Sequence, residues 1–137
     1  MNEHQILKIK NSWSIISLNH KEIGLAFYNR LFEMAPGVRH LFKGDIHTLA
    51  GKLTMILAYV VSKVDRYEEI IDKVRHLGQR HNVYGAAPEH YDVVGACLIA
   101  TLREALQDQW DAETEKAWVT AFTIIKQNML EGQMAEV

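Results

Sequence analysis

Apolar residues recur at helical spacing along almost the whole chain, and this periodicity constrains the fold more than any other feature. The only two prolines, Pro36 and Pro88, fall between periodic segments, where a missing amide does least harm. Strand-like alternation is nowhere sustained. The sequence therefore predicts an all-α protein with five or six substantial helices and an irregular corner from Pro36 to Asp45.

Each predicted helix carries one apolar stripe that should face the core. The stripes are Ile6, Ile9, Trp13 and Ile16; Ile23, Phe27 and Leu31; Leu49, Leu53, Leu57, Val60 and Val64; Ile70, Val74, Leu77 and His81; Tyr91, Val94, Leu98 and Leu102; and Trp118, Phe122, Ile125 and Met129. Ile56 and Val61 broaden the third stripe, which predicts a centrally buried helix, and we expect Met55 to pack inside. Gly24 and the pair Ala50-Gly51 are small enough for two helix backbones to approach closely.

Length and charge narrow the class of protein. A chain of 137 residues is expected to form one domain over residues 1–137. Fifteen basic and seventeen acidic residues give a net charge of −2, which argues against a nucleic-acid partner. The longest apolar run, Met55 to Val61, is far shorter than the roughly 20 residues that cross a membrane, and the first ten residues lack a secretory pattern. We expect a cytoplasmic protein without a membrane partner.

Common catalytic and metal motifs are absent from the sequence. It contains no HExxH, nucleophile-elbow, dinucleotide-binding or Walker pattern. No two of the seven histidines are three or four residues apart, which disfavours an all-protein zinc or di-iron site. The single cysteine, Cys97, excludes an internal disulfide and is expected to be a small core residue.

His81 is the most informative residue, because it puts a titratable imidazole at the fourth place of an apolar stripe. A buried imidazole must hydrogen-bond or bind a metal, since an unpaired ring nitrogen in an apolar setting costs about 1 to 3 kcal/mol. One imidazole is enough to hold haem, whose porphyrin supplies four nitrogens of its own. The alternative is a hydrogen-bonded core histidine, and spacing alone favours that alternative.

Tyr28 is the second candidate, a phenol one residue from the apolar Phe27. Its hydroxyl could donate a hydrogen bond to a ligand with partial negative charge, such as dioxygen on ferrous iron. The alternative is a tyrosine at the edge of the core with its hydroxyl in water.

Four segments, in their order and spacing, resemble the globin family, especially bacterial single-domain haemoglobins and the haem domain of flavohaemoglobins. They are IGLAFYNRLF at 23–32, PGVRHLF at 36–42, LGQRH at 77–81 and EHYDVVG at 89–95. The resemblance implies a globin fold, a helical sandwich around a non-covalently bound b-type haem. It also implies a role for residues in several segments: His81 as the iron ligand, Phe42 stacked on the porphyrin, Tyr28, Leu49 and Leu53 in the distal pocket, Lys52 and Arg80 as propionate partners, and Tyr91 and Val94 near the proximal face.

Three positions depart from or complicate the family pattern. Leu49 stands where these relatives usually carry a distal glutamine or histidine, which leaves Tyr28 as the expected sole donor. Gln133 stands where flavohaemoglobin-like proteins often pair the proximal histidine with a glutamate, and this weakens the case for oxidative chemistry. His47 lies two residues before Leu49, a rotation of about 200° on a helix, so it should point away from the iron unless the helix begins later. The sixth ligand of ferric iron could then be water, His47 or none.

Three functions remain open from the sequence. The first is reversible binding of dioxygen and other diatomic gases at five-coordinate ferrous haem, for storage, transport or sensing, by a monomer or weak dimer. The second is nitric oxide dioxygenation that depends on an external reductase, because no flavin domain is expected after Val137. The third is a haem-free helical interaction module in which His81 is only structural.

Overall fold

The computed structural model describes residues 1–83 and 87–134, with side chains at 1–81 and 87–132. Over this part of the chain it has six α-helices: α1 Glu3–Ile16, α2 His20–Met34, α3 Ile46–Ser62, α4 Ile71–Val83, α5 Pro88–Leu106 and α6 Ala112–Met134. Short 3-10 turns at Ser17–Asn19, Pro36–Leu41, Val64–Glu69 and Gln107–Gln109 connect some of them. No strand occurs in the described ranges, and the predicted all-α class is confirmed.

Side chains at the helix starts explain where several helices begin. The Asn2 side chain accepts a hydrogen bond from the Gln5 amide at 2.8 Å, and the Gln5 side chain accepts one from the Asn2 amide at 3.2 Å. Asp45 accepts from the Thr48 amide at 2.9 Å, and this hydrogen bond lowers the pKa of the Asp45 carboxyl. This cap fixes the start of α3 at Ile46, so His47 lies in its first turn.

Glycine permits two close helix crossings. A Cβ added at Gly24 of α2 would lie 2.9 Å from the Cβ of Ala50 on α3, which confirms the predicted approach of these two residues. The same expectation for Gly51 is wrong, because nothing lies within 4 Å of a Cβ built there. On α4, a Cβ at Gly78 would lie 2.7 Å from the carbonyl carbon of Met129 on α6. Only glycine lets these backbones pack so closely.

The buried residues form two separate clusters. The larger one joins α1, α2, α3, α5 and α6 and includes Phe27, Leu31 and Leu102. The smaller one is built on Ile70, Val74, Tyr91 and Met129. α3 packs mainly on α2 and α4 mainly on α6, whereas no extended contact joins α3 to α4 within the described residues. We call the region between α3 and α4 the cleft; the two clusters lie on its two sides, except that Val60 of α3 packs against the smaller one.

The prediction that α3 is centrally buried is wrong. Met55 is 74% exposed, Ile56 is 42% exposed and Tyr59 is 36% exposed. The physical reason is that α3 packs mainly on α2, with a smaller contact to α1, and no other helix of the described residues packs extensively on it. Within the described ranges, no helix is long and apolar enough to span a membrane.

Candidate functional site

The backbone hydrogen bond of His81 determines which ring nitrogen can act as a ligand. His81 lies on α4, and its Nδ1 is 2.7 Å from the carbonyl oxygen of Leu77, one turn earlier. A carbonyl only accepts, so Nδ1 carries the hydrogen and donates it. In a neutral imidazole the lone pair then lies on Nε2. This is the arrangement of a metal-binding histidine whose ring is oriented by a backbone carbonyl.

The surroundings of His81 favour the neutral ring. Burial lowers the pKa of His81 below its ordinary 6.5, and the positive charge of Arg80 acts in the same direction. The hydrogen bond to Leu77 opposes these two effects. Neutral imidazole is the form that binds a metal, so the ring is prepared for that role near neutral pH.

Tyr91 of α5 lies beside His81, with the ring centroids 6.4 Å apart and the planes inclined by 31°. Its ring is buried, and its hydroxyl has no hydrogen-bond partner among the described side chains. Burial raises the pKa of this phenol. Val94, one turn further on, is half-buried and Arg80 is exposed. The side chain of Gln133 lies outside the described residues, so its relation to His81 and Tyr91 stays a prediction.

Tyr28 of α2 lies in an aromatic group on the other side of the cleft. Its ring centroid is 5.5 Å from that of Phe42 and 5.7 Å from that of Phe32. Tyr28 is only 7% exposed, and within the described part of the chain its hydroxyl makes no hydrogen bond to protein. Burial raises the pKa of this phenol to about 12. The group therefore remains a protonated donor throughout the physiological range.

Phe32 and Arg39 were not identified from the sequence, although both position the aromatic group. The Phe32 ring packs on Phe42 with centroids 5.6 Å apart, and the Arg39 guanidinium lies 4.9 Å from the Phe32 centroid. Arg39 also donates to the Phe42 carbonyl at 2.6 Å, which holds the corner after Pro36–Leu41 in place. The spacing of four residues from Tyr28 to Phe32 on one helix face is the signal that could have revealed Phe32.

α3 contributes apolar side chains to the same side of the cleft. Leu49 is 8% exposed, and the half-buried Leu53 packs against the same cluster as Tyr28 and Phe42. Lys52, between them in sequence, is exposed. His47 is also exposed, as predicted for a residue two positions before the inward-facing Leu49.

The structure thus brings Tyr28, Phe42, Leu49 and Leu53 together in the larger cluster. It places His81 beside Tyr91, which belongs to the smaller cluster. The other predicted site residues therefore lie on one or the other side of the cleft. Lys52 and Arg80 occupy exposed positions on α3 and α4, the two helices that border the cleft. The arrangement has an apolar interior, one oriented imidazole and one protonated phenol.

Known proteins share this sequence pattern. The globin family model matches residues 25–129. The chain is 27% identical to an anaerobic nitrite reductase of Gossypium hirsutum, covering 88% of this chain and 83% of that protein. It is 29% identical to an anaerobic nitrite reductase of Casuarina glauca, with 88% and 84% covered. It is 28% identical to the flavohemoprotein of Vibrio cholerae over 80% of this chain and 28% of that longer protein.

Solved structures share the fold. A bacterial globin from Campylobacter jejuni superposes with a TM-score of 0.85 at 24% identity, covering 98% of this chain and 97% of that one. A hexacoordinated heme protein from an anhydrobiotic tardigrade superposes with a TM-score of 0.87 at 16% identity, with 98% and 96% covered. The helix order, the cleft and the family match agree, and the chain belongs to the globin family.

Proposed function

We propose that residues 1–137 form one unit that binds haem b in the cleft between α3 and α4, with His81 as the axial iron ligand. In this proposal the ferrous form reversibly binds dioxygen and other diatomic gases, for storage, transport or sensing. The hydrogen bond from His81 Nδ1 to the Leu77 carbonyl carries the proposal, because it puts the hydrogen of a neutral ring on Nδ1 and the lone pair on Nε2, the form in which histidine binds a metal. In the haem-free alternative the same hydrogen bond only satisfies a buried imidazole, so haem binding itself has to be measured.

The side chains on the two sides of the cleft are chemically suited to a haem. Phe42 offers an aromatic ring for stacking on the porphyrin, and Tyr91 lies beside the imidazole. Val94 packs against the larger cluster, so its place near the proximal face stays a prediction. Lys52 and Arg80, both exposed and without an ion pair in the described residues, would pair with the two propionates at the cleft edge. Charge pairing of this kind at an exposed edge contributes little individually, roughly 0 to 1 kcal/mol.

When bound, haem would supply a ferrous iron that can take a diatomic gas. The chain supplies the surroundings of that gas. Tyr28 donates a hydrogen bond from its neutral hydroxyl, and Leu49 and Leu53 keep water away. A carbonyl partner on His81, rather than a carboxylate, leaves the imidazole less basic, which favours ligand binding over oxidative chemistry.

A haem titration tests the proposal. The purified chain should bind one equivalent of ferric haem with an intense Soret band, and His81→Ala should sharply weaken haem retention. His76→Ala is the matched control, because His76 is an exposed histidine on the same helix. Absence of a Soret band in the wild type, or equal retention in His81→Ala, would refute the assignment.

The role of Tyr28 has its own test. A hydrogen bond to a partly charged ligand contributes about 1.5 kcal/mol, so Tyr28→Phe should speed dioxygen release about tenfold, measured by stopped flow. Release of carbon monoxide, which develops less charge, should change less. Tyr59→Phe is the control, since Tyr59 lies on the outer side of α3. An unchanged dioxygen release rate would show that the hydroxyl does not contact the ligand.

Nitric oxide dioxygenation with an external reductase is the second candidate. It is supported by the match to a flavohemoprotein and by the presence of a protonated donor in an apolar pocket. Stopped-flow mixing of the dioxygen-loaded protein with nitric oxide, followed by steady-state assays with a reductase, separates it from simple gas binding. Mixing the gas-free ferrous protein with nitrite in the absence of dioxygen, with a reductant present to restore ferrous iron, tests the activity that the names of the two plant relatives indicate. No turnover with several reductants would remove the enzyme candidate.

A further inference from the structure

Two glycines bring the backbones of α4 and α6 into direct contact. A Cβ added at Gly78 of α4 would lie 2.7 Å from the Cα of Met129, and a Cβ added at Gly132 of α6 would lie 2.9 Å from the Cα of Arg75. Each added carbon would also meet the carbonyl oxygen of the same opposing residue. We call these two contacts, Gly78 on Met129 and Gly132 on Arg75, the glycine crossing.

The glycine crossing is reciprocal, because each helix presents one glycine to a carbonyl of the other. Gly78 follows Arg75 by three residues on α4, and Gly132 follows Met129 by three residues on α6, so the two helices run in opposite directions. One hydrogen on each glycine Cα has the direction of the added Cβ and therefore points at the opposing carbonyl. Two such contacts fix both the spacing and the register of α4 against α6.

α6 connects α4 to the larger cluster. Trp118 and Ala121 of α6 are buried in that cluster, and the Trp118 indole donates to the Ser12 hydroxyl of α1 at 2.8 Å. Further along α6, Met129 is buried in the smaller cluster together with Val74 of α4. Within the described residues, α6 is the helix on which α4 packs extensively. The position of α4 is therefore determined by α6 and not by the opposite side of the cleft.

The glycine crossing adjoins the hydrogen bond that orients His81. The peptide unit that joins Leu77 to Gly78 carries the carbonyl that accepts this hydrogen bond from His81 Nδ1 at 2.7 Å. The nitrogen of the same planar unit belongs to Gly78, whose Cα packs against Met129. The contact with α6 thus fixes the peptide plane, and the plane in turn orients the imidazole.

We propose that Gly78 and Gly132 are positioning residues for His81, and that the glycine crossing holds α4 and its imidazole in place before haem binds. The proposal deepens the proposed function and rests on it. The contacts of the crossing join backbone atoms of α4 and α6, so they form without a bound group. A ligand that is already in place favours binding, because no helix has to be ordered when haem enters.

Hydrogen exchange of the full wild-type chain, before haem is added, tests the proposal without a variant. Amides of residues 75–81 should exchange at least about 100-fold more slowly than those of an unstructured peptide, because the glycine crossing keeps α4 folded. Amides of residues 115–122 in α6 are the internal reference. Exchange of residues 75–81 at the unstructured rate, beside a protected α6, would overturn the proposal.

Gly132→Ala disrupts the crossing without changing the sequence of α4. Relative to the α6 reference, it should speed exchange of residues 75–81 about tenfold. Haem loss from the loaded protein should also become about tenfold faster, since groups that orient a metal-binding histidine contribute at least this much to metal affinity. The iron–histidine stretching band of the ferrous protein should shift, a change that reduced stability alone does not produce.

Two matched alanine variants lie away from the glycine crossing. Gly51→Ala adds a Cβ to α3 that meets nothing within 4 Å. Gly24→Ala adds a Cβ 2.9 Å from that of Ala50, so it strains a different glycine contact, that of α2 with α3. Both variants should keep the wild-type iron–histidine band and the wild-type exchange of α4 relative to α6.

Two results with the variants would overturn the proposal. One is an equal change of α4 exchange and of the band in Gly24→Ala and Gly132→Ala. The other is a Gly132→Ala protein with wild-type exchange, haem retention and band. If Gly132→Ala does not fold, the exchange of the wild-type chain decides alone. A wild type without a Soret band would refute the proposed function instead, while hydrogen exchange would still show whether α4 is held in place.

Discussion

Replacing Gly78 with alanine should destabilise the fold, because α4 and α6 touch through their backbones at this residue. The added Cβ would lie 2.7 Å from both the carbonyl carbon and the Cα of Met129, whereas carbon atoms in normal contact are about 3.5 Å or more apart. A helix backbone cannot rotate away as a side chain can, so α4 must move by roughly 1 Å. Overpacking of this kind costs up to about 3 kcal/mol.

The intrinsic helix preference of alanine offsets part of this cost, by about 1 kcal/mol. We therefore expect Gly78→Ala to lower the free energy of unfolding by about 2 kcal/mol. Gly51→Ala is the matched control, because nothing lies within 4 Å of a Cβ at Gly51 in α3. It gains the same helix preference without the clash and should be about 1 kcal/mol more stable than the wild type.

Guanidinium unfolding followed by far-UV circular dichroism measures both variants. The two alanine proteins should differ by about 3 kcal/mol, a factor of more than 100 in the unfolding equilibrium. Gly78→Ala should also lose haem faster, because His81 lies three residues further along the displaced helix. Equal stability of the two variants would refute the described crossing of α4 and α6.

Three further predictions concern separate parts of the molecule. The Tyr28 phenol ionises near pH 10 in the unfolded chain but only near its pKa of about 12 in the folded protein, so the free energy of unfolding should fall above pH 10, by about 1.4 kcal/mol at pH 11. Urea unfolding at pH 9 and at pH 11 measures this loss, which should be smaller in Tyr28→Phe. An equal loss in the variant and the wild type would contradict the burial of Tyr28. Ser12→Ala removes the acceptor of the Trp118 indole N–H, 2.8 Å away, and should lower the free energy of unfolding by about 1 to 3 kcal/mol. The control Ser14→Ala, at an exposed serine, should lower it by less than about 0.5 kcal/mol. Equal thermal stability of the two variants would be inconsistent with this hydrogen bond. His47→Ala should leave the ferric absorption spectrum unchanged, because His47 is exposed in the first turn of α3, and a change from low-spin to high-spin iron would identify it as the sixth ligand.

Helical periodicity predicted the elements of this fold but not how they pack. The prediction that the apolar stripe through Leu49 and Leu53 faces the core is confirmed, because side chains on one face of a helix pack against the same part of the protein. The burial of Met55 was predicted wrongly, because an apolar residue on a helix does not specify whether another helix covers it. Gly51 was predicted to lie at a crossing and Gly78 was not, although Gly78 makes the closer approach.

The candidate site shows the same division. His81 could be identified because it is the one titratable residue of an otherwise apolar helix stripe. Its hydrogen bond to Leu77 follows from a spacing of four on a helix, but the donor nitrogen becomes definite only with the ring orientation. Phe32 could have been assigned to the aromatic group from its spacing of four from Tyr28 on α2. Arg39 could not, because the turn Pro36–Leu41 that folds it back onto Phe32 leaves no periodic signal in the sequence.

The central claim is that one imidazole, that of His81, holds haem iron. Resonance Raman spectroscopy of the ferrous, gas-free protein tests it directly, because a five-coordinate haem with an axial histidine gives an iron–histidine stretching band. This band should shift when the protein is made with ¹⁵N-histidine. In labelled His81→Gly supplied with unlabelled imidazole, it should return without the isotope shift. A wild type that lacks the band, or a His81→Gly protein that retains the shifted band, would contradict the account.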